Sequence, residues 1–362
     1  MHLRVKPIGK GVSMKRPIIG GVFAAIALLL TAAGTALAAA PAPTAATPEL
    51  LAKAKEEGTV VWYTSIELQT AEKIAQAFEA ANPGMKVQVE RNGCERIVQR
   101  IAQERSSNIH AADVVECSDM TALFDWKKQG WLAAFVPADV AKYPADHRDT
   151  DGFFATDRLT LSPIEYNTKL VKPEEAPKSF ADLLDPKWKG KIVKAHPGYS
   201  GTIMTVTFEI SRALGWDYLK KLGQQQVMQV QSAADPPKRV AQGERPVAAD
   251  GGEYLPLQMI DKGAPLALVY PTEGTPSIPG GAGVVVDAPH PNAARVFAIY
   301  LFSEEGQQLL ADMARMRSVN PDVKLPAGMK PLSETKILKA DTPAQEQETA
   351  EIKKKYAEYF GL

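Results

Sequence analysis

The sequence predicts an α/β protein built from two units with a cleft between them. Three observations carry this. Short β-rich runs are each followed by a loop of small polar residues and then a helical apolar period, three times in succession from Thr59 to Trp126. The rhythm breaks over Phe153–Tyr166 and restarts at Lys191. Two Pro- or Gly-marked segments, near Leu159–Tyr166 and at Tyr270–Gly274, lie where the chain would pass from one unit to the other and back. Repeated β-loop-α units imply parallel strands with helices on the sheet faces. Two crossings imply a hinge, and ligand pockets favour such interfaces and the carboxyl ends of parallel strands.

The elements follow in order. Thr59–Tyr63 reads as a strand, Thr64-Ser65 as a helix cap, and Ala71, Ile74, Ala75 and Phe78 as one helix face. Asn82-Pro83-Gly84 stops that helix. Lys86–Glu90 alternates as a strand, Asn92-Gly93 turns, and Ile97, Val98, Ile101 and Ala102 line the next helix. Ala112–Glu116 is the third strand, and Ser118-Asp119 caps a helix carrying Leu123 and Trp126. In the second unit Lys191–Ala195 is a strand, His196–Thr202 a turn-rich loop and Ile203–Leu214 a helix. Arg239–Ala248 suggests a helix and a strand, and Ala264–Tyr270 and Gly280–Asp287 two more strands. Asn292–Ala314 reads as one long amphipathic helix and Ala344–Phe360 as the last.

The N-terminus reads as an export address. Lys15-Arg16 precedes an apolar run, Ile18–Leu30, and Ala36-Leu37-Ala38 has the small-x-small form of a cleavage site. The run is shorter than the ~20 residues a spanning helix needs. We therefore expect a signal peptide over 1–38, with Met1 or Met14 as the start, and a flexible Pro/Ala/Thr leader over 39–48. The expected location is the periplasm. The whole chain balances 42 basic against 42 acidic residues. Removing the five basic residues of 1–38 leaves 37 against 42, a net charge of −5. That balance lacks the basic footprint of a nucleic-acid binder.

Only Cys94 and Cys117 are present. In an oxidising compartment an even count favours a disulfide over two buried thiols. Zinc would need more Cys or His at close spacing, and His110, His147, His196 and His290 are isolated. No cofactor is expected. The G-x-S-x-G, H-E-x-x-H and G-x-x-x-x-G-K-[ST] patterns are absent, so no enzyme is expected.

Four loops, Thr64-Ser65, Asn92-Gly93, Ser118-Asp119 and Ser200-Gly201-Thr202, set hydroxyl or amide groups beside helix N-termini. Helix N-termini suit anions; each loop alone reads first as ordinary capping, and it is the convergence of four on one cleft that favours ligand binding. Tyr63, Tyr166, Tyr199, Tyr254 and Tyr270 sit at strand ends or crossings, where they could stack on a ligand, ligate a hard metal or simply pack. Asp250–Tyr254 could face the cleft, and Arg91 and Arg158 are candidate anion partners.

At this point the chain resembles the extracellular solute-binding proteins of bacterial ABC importers, in the cluster that includes the ferric-iron binders. The resemblance spans nearly all of the chain beyond residue 38. It rests on Val60-Val61-Trp62-Tyr63-Thr64-Ser65, Ala112-Asp113-Val114-Val115, Tyr166-Asn167-Thr168-Lys169-Leu170-Val171, Pro186-Lys187-Trp188-Lys189-Gly190-Lys191, Ser200-Gly201-Thr202, Ala288-Pro289-His290-Pro291-Asn292-Ala293-Ala294 and Ser303-Glu304-Glu305-Gly306-Gln307. It implies a type II periplasmic-binding-protein-like fold, two α/β lobes joined by two hinge strands. The first lobe would take 49–160 and 272–322 and the second 161–271, with 323–362 a C-terminal helical segment packing on both. It also implies a monomer that delivers its ligand to a membrane permease with a cytosolic ATPase. A secreted enzyme or a sensory protein on the same fold are the alternatives. Ferric binders carry two adjacent tyrosines, but Tyr254 is followed by Leu255 here. Iron would thus need Tyr254, Glu253 and Tyr199. The favoured ligand is a small phosphorylated or carboxylated anion held by Tyr63, Thr64, Ser65, Ser118 and Asp119 in the first lobe and Tyr199, Ser200, Gly201, Thr202, Glu253 and Tyr254 in the second. The pattern also favours a Cys94–Cys117 bridge between cleft-floor loops.

Overall fold

The computed structural model describes residues 40–361, together with His2, Leu3, Gly9 and Gly11. The expected export signal therefore lies almost wholly outside the described residues. Within them no helix is long and apolar enough to cross a membrane.

In chain order the strands are β1 (Thr59–Thr64), β2 (Lys86–Arg91), β3 (Val114–Cys117), β4 (Ala155–Leu161), β5 (Ile164–Asn167), β6 (Ile192–Ala195), β7 (Met228–Val230), β8 (Val247–Ala248), β9 (Leu266–Val269), β10 (Thr275–Val284) and β11 (Ile337–Lys339). The α-helices are α1 (Pro48–Glu57), α2 (Leu68–Ala81), α3 (Cys94–Ser106), α4 (Met120–Lys128), α5 (Gly201–Leu214), α6 (Trp216–Gly223), α7 (Pro236–Ala241), α8 (Tyr254–Asp261), α9 (Pro291–Phe302), α10 (Glu304–Ala314) and α11 (Thr342–Phe360).

Two sheets result. The first has the order β11-β10-β3-β1-β2, with β4 also paired to β10; the second has the order β7-β6-β8-β5-β9. β1 runs parallel to β2 and β3, while β10 is antiparallel to β3 and β4. In the second sheet β6 is parallel to β7 and β8, and β5 is antiparallel to β8 and β9. Each sheet has its own apolar core. Trp62, Phe78 and Phe297 meet edge to face in the first. Phe180, Trp188, Ile192, Val206 and Leu219 fill the second. The fold is thus the mixed α/β arrangement of two lobes.

The chain crosses between lobes from β4 to β5 through Ser162-Pro163 and returns from β9 to β10 through 270–274. The Ser162 amide donates to the Pro276 carbonyl at 2.9 Å, which holds the crossings side by side. Cys94 and Cys117 form a disulfide joining the start of α3 to the end of β3. A bridge closing a loop of this size contributes roughly 3 kcal/mol.

Several expected elements are redrawn. The long helix over Asn292–Ala314 is two helices, because Ser303 takes an extended conformation (ψ 158°) and turns its hydroxyl back to accept from the Gly306 amide. The strand expected at Gly280–Asp287 is β10, which starts at Thr275 and ends at Val284. Thr64-Ser65 does not cap α2; the cap is Glu67, whose carboxylate accepts from the Thr70 amide. The leader is tied at Thr44, whose amide and carbonyl bond Val136 and Ala138. The C-terminal α11 packs on α4 of the first lobe and on α5 and α6 of the second.

Candidate functional site

The carboxyl end of β1 and the start of α5 face each other across the cleft. Their loops look alike in sequence and differ in chemistry. In the first, Glu116 on β3 reaches into the turn after β1. It accepts from Thr64 Oγ1 (2.7 Å), the Ser65 amide (2.7 Å) and the Ile66 amide (3.2 Å), and from Ser65 Oγ at 3.2 Å. Glu116 is wholly buried, and its remaining partner is the Arg158 guanidinium, a buried ion pair. Arg158 also donates to Asp157 and to Ser65 Oγ. The turn's anion-binding amides are therefore filled by the protein's own carboxylate.

The second loop is open. Ser200 caps α5 by accepting from the Ile203 amide. The Gly201 and Thr202 amides lie in the first turn, where a helix supplies no acceptor. Both residues line a cleft cavity with Ser65, Ser118, Tyr199, Ser200 and Tyr254. Arg91, Gly93, Cys94, Arg96 and the segment Gln231–Ala234 complete the wall. The lobes touch closely here. A Cβ on Gly201 would lie 2.8 Å from Asp119 Cβ and 3.0 Å from Ser118 Oγ, and one on Gly93 would lie 3.0 Å from the Tyr199 carbonyl. Glycine at these two positions lets the lobes approach.

Electrostatically the cavity is one-sided. Arg91 donates to the Ile66 carbonyl through Nε, and Arg96 is exposed. Both line the space, the α5 N-terminus adds its positive end, and no carboxylate is in the lining. Burial raises the Tyr254 hydroxyl's pKa, with the charges of Arg158 and Arg91 opposing that shift.

The structure does not bring all expected residues together. Tyr63 points into the first lobe's core, where its hydroxyl donates to Glu104 (2.8 Å) under the Arg100 guanidinium. Thr64 is buried against Glu116. Asp119 caps α4, accepting from Thr121 and from Gln345 of α11, and burial pushes its carboxyl up to about 6. Glu253 is wholly buried at the crossings, paired with Arg317 (2.5 Å), accepting from Tyr270 Oη (2.8 Å) and bonded to Leu161. The iron set of Tyr254, Glu253 and Tyr199 is therefore not assembled: the two tyrosines line the cavity and the carboxylate is tied elsewhere. Tyr166 belongs to the second lobe's core. Sequence reading passed over Arg96 and Gln231–Ala234. Arg96 lies one turn into α3, where an exposed arginine has no distinguishing neighbour, and Gln231–Ala234 follows a strand of only three residues.

A family model described as bacterial extracellular solute-binding protein matches residues 110–339. An uncharacterised protein of Haemophilus influenzae is 34% identical over 142 residues, a match spanning 38% of this chain and 40% of the relative. A Salmonella typhimurium protein, provisionally named a 2-aminoethylphosphonate-binding periplasmic protein, is 30% identical over 257 residues, covering 68% of this chain and 73% of the relative. Among solved structures, the periplasmic binding protein AfuA of Actinobacillus pleuropneumoniae, with exogenous fructose 6-phosphate bound, superposes with a TM-score of 0.77 at 25% identity, over 84% of this chain and 99% of AfuA. With the family pattern covering most of both lobes and the Salmonella protein aligned across two thirds of the chain, this protein belongs to the bacterial extracellular solute-binding proteins.

Proposed function

We propose that the chain is the periplasmic solute-binding component of an ABC importer, and that its cargo is a small phosphorus oxyanion, an organic phosphate or phosphonate. Acting as a monomer, it would capture this solute by lobe closure and present it to a membrane permease with a cytosolic ATPase. The observation that carries the anion is the cavity wall: Arg91, Arg96 and the open α5 N-terminus, with no carboxylate. Phosphate oxygens suit such a mix of guanidinium, backbone amide and hydroxyl donors. The names of the Salmonella relative and of the AfuA complex, a phosphonate and a sugar phosphate, support the same class. A ferric ion wants several anionic oxygens. Here it would meet two arginines and two tyrosines, an unfavourable set.

The test is calorimetry with a panel of phosphate monoesters and phosphonates on the exported protein and on Ser200→Asp. Asp is a good N-cap, so α5 survives. Its charge would lie where the anion sits, and binding should fall below detection, at least about 100-fold weaker. Unchanged affinity would remove the α5 loop from the site. Binding of ferric citrate with no response to any phosphorus compound would replace the reading.

A further inference from the structure

The cleft cavity continues inward. A second, smaller space shares Ser65, Ser118, Thr202 and Tyr254 with it, and Arg158 and Thr160 of β4 form part of its wall. Residues two apart on a strand share a face, so β4 turns both side chains to the same side. Both are more than nine-tenths buried. The Thr160 hydroxyl has no hydrogen-bond partner. A buried hydroxyl left unpaired is unfavourable, and such a group in a cavity wall is a waiting contact. Arg158 is held in place by Glu116, Asp157 and Ser65. Across from it stands Gly280, where a Cβ would fall 2.7 Å from the Arg158 Cζ atom. The glycine keeps room for the guanidinium beside the cavity.

The charge balance of this inner space differs from that of the outer one. Glu116 and Asp157 already offset Arg158, so there is no surplus positive charge to hold a second anion. No Asp or Glu lines either space. The Glu116 oxygens are already taken by the turn after β1 and by Arg158. An ammonium group entering here would meet the Arg158 guanidinium at the wall, while Glu116 and Asp157 are already engaged by that guanidinium. An uncharged oxygen would find hydroxyls and N–H donors.

Resting on the phosphorus-oxyanion reading, we infer that the inner space is a second recognition subsite that takes a hydroxyl or carbonyl oxygen at the far end of the solute, so that the cargo is a hydroxy- or oxo-bearing phosphate or phosphonate and amino-terminated analogues are rejected. Thr160 pairs with that oxygen, and Arg158 donates to it.

The experiment compares matched probes by calorimetry: ω-hydroxyalkyl and ω-aminoalkyl phosphates of two to four carbons, with inorganic phosphate as the reference. The wild-type protein should bind the best hydroxyalkyl phosphate at least about tenfold more tightly than its amino counterpart. Thr160→Val keeps the shape and removes the hydroxyl. It should erase about tenfold of that preference, the worth of one buried hydrogen bond, and leave the inorganic phosphate Kd within about twofold. Thr160→Ser should retain the preference. Equal binding of the amino probes, or a Thr160→Val loss that is as large for inorganic phosphate, overturns the subsite while leaving the anion reading intact. Failure of every probe, inorganic phosphate included, overturns the anion reading and the subsite with it.

Discussion

The turn after β1 and the loop before α5 are near twins in sequence: a strand, then Thr-Ser or Ser-Gly-Thr, then a helix. In the structure they have opposite fates. The first has its amides filled by Glu116, and the second sets Gly201 and Thr202, in the first turn of α5, on the cavity wall. The lesson concerns where the counter-charge comes from. An amide-rich turn is an anion site only if no carboxylate of the fold reaches it, and Glu116 reaches this one from 51 residues away in the chain. The first lobe therefore contributes an internally neutralised wall, and the second contributes an open helix N-terminus.

Removing the internal anion should give the largest effect. Glu116→Gln keeps the side chain's shape and one acceptor but leaves Arg158 buried without a full counter-charge. Breaking a buried ion pair from one side typically costs about 3–5 kcal/mol. We expect a loss near 3 kcal/mol, since Asp157 remains beside the guanidinium. It should appear as a lower urea midpoint with an unchanged slope. A loss under about 1 kcal/mol would mean that water already shares the pair and that the two loops differ less than the geometry indicates.

The second way to sharpen the contrast is to keep both loops and stop them meeting. Gly201→Val places a branched side chain where even a Cβ would contact Asp119 and Ser118 of the opposite lobe. Closure should be blocked while each lobe still folds. Solute affinity should fall about 100-fold, with thermal stability of the ligand-free protein nearly unchanged. A solute-bound form as compact in solution scattering as wild type would show that the cleft closes by another path.

These particulars also mark what the sequence made legible. The α/β class, the two crossings and the boundaries of most helices follow from local period and turn residues, and the structure has them. The Gly201 loop was readable because a glycine between hydroxyls at a helix start serves close backbone approach. The role of Glu253 was not. Its neighbours Asp250, Gly251 and Gly252 look like a ligand loop, but the carboxylate is claimed by Arg317, 64 residues away, and by Tyr270. Tyr63 failed for a related reason: it lies one residue before the turn, and strand alternation sends it to the core face opposite Thr64. The break at Ser303 was missed because the apolar period runs through it, while a single serine ending one helix and capping the next leaves almost no compositional mark. Pairings across long stretches of chain decide these cases, and local pattern carries no trace of them.

The smallest expected effect lies at the seam between the two loops, where Asp119 of the first lobe abuts Gly201 of the second. Asp119 is buried, and desolvation pushes its carboxyl up to about 6 from an ordinary value near 3.8, against the opposing bonds from Thr121. The folded state thus holds this proton more tightly than the unfolded chain does. The contribution of Asp119 to stability then rises as pH falls from neutrality through 6 towards 4, as the buried charge is neutralised. Asn caps a helix about as well as Asp and carries no charge to desolvate. Asp119→Asn should therefore be more stable than wild type at pH 7.5 by about 1–2 kcal/mol, and the advantage should shrink to near zero by pH 4.5. The comparison of the two proteins across that range by urea unfolding isolates Asp119 from other buried carboxyls, which are common to both. An advantage that instead grows on acidification would mean that Asp119 is stabilised in its charged form by the α4 N-terminus and the Gln345 amide.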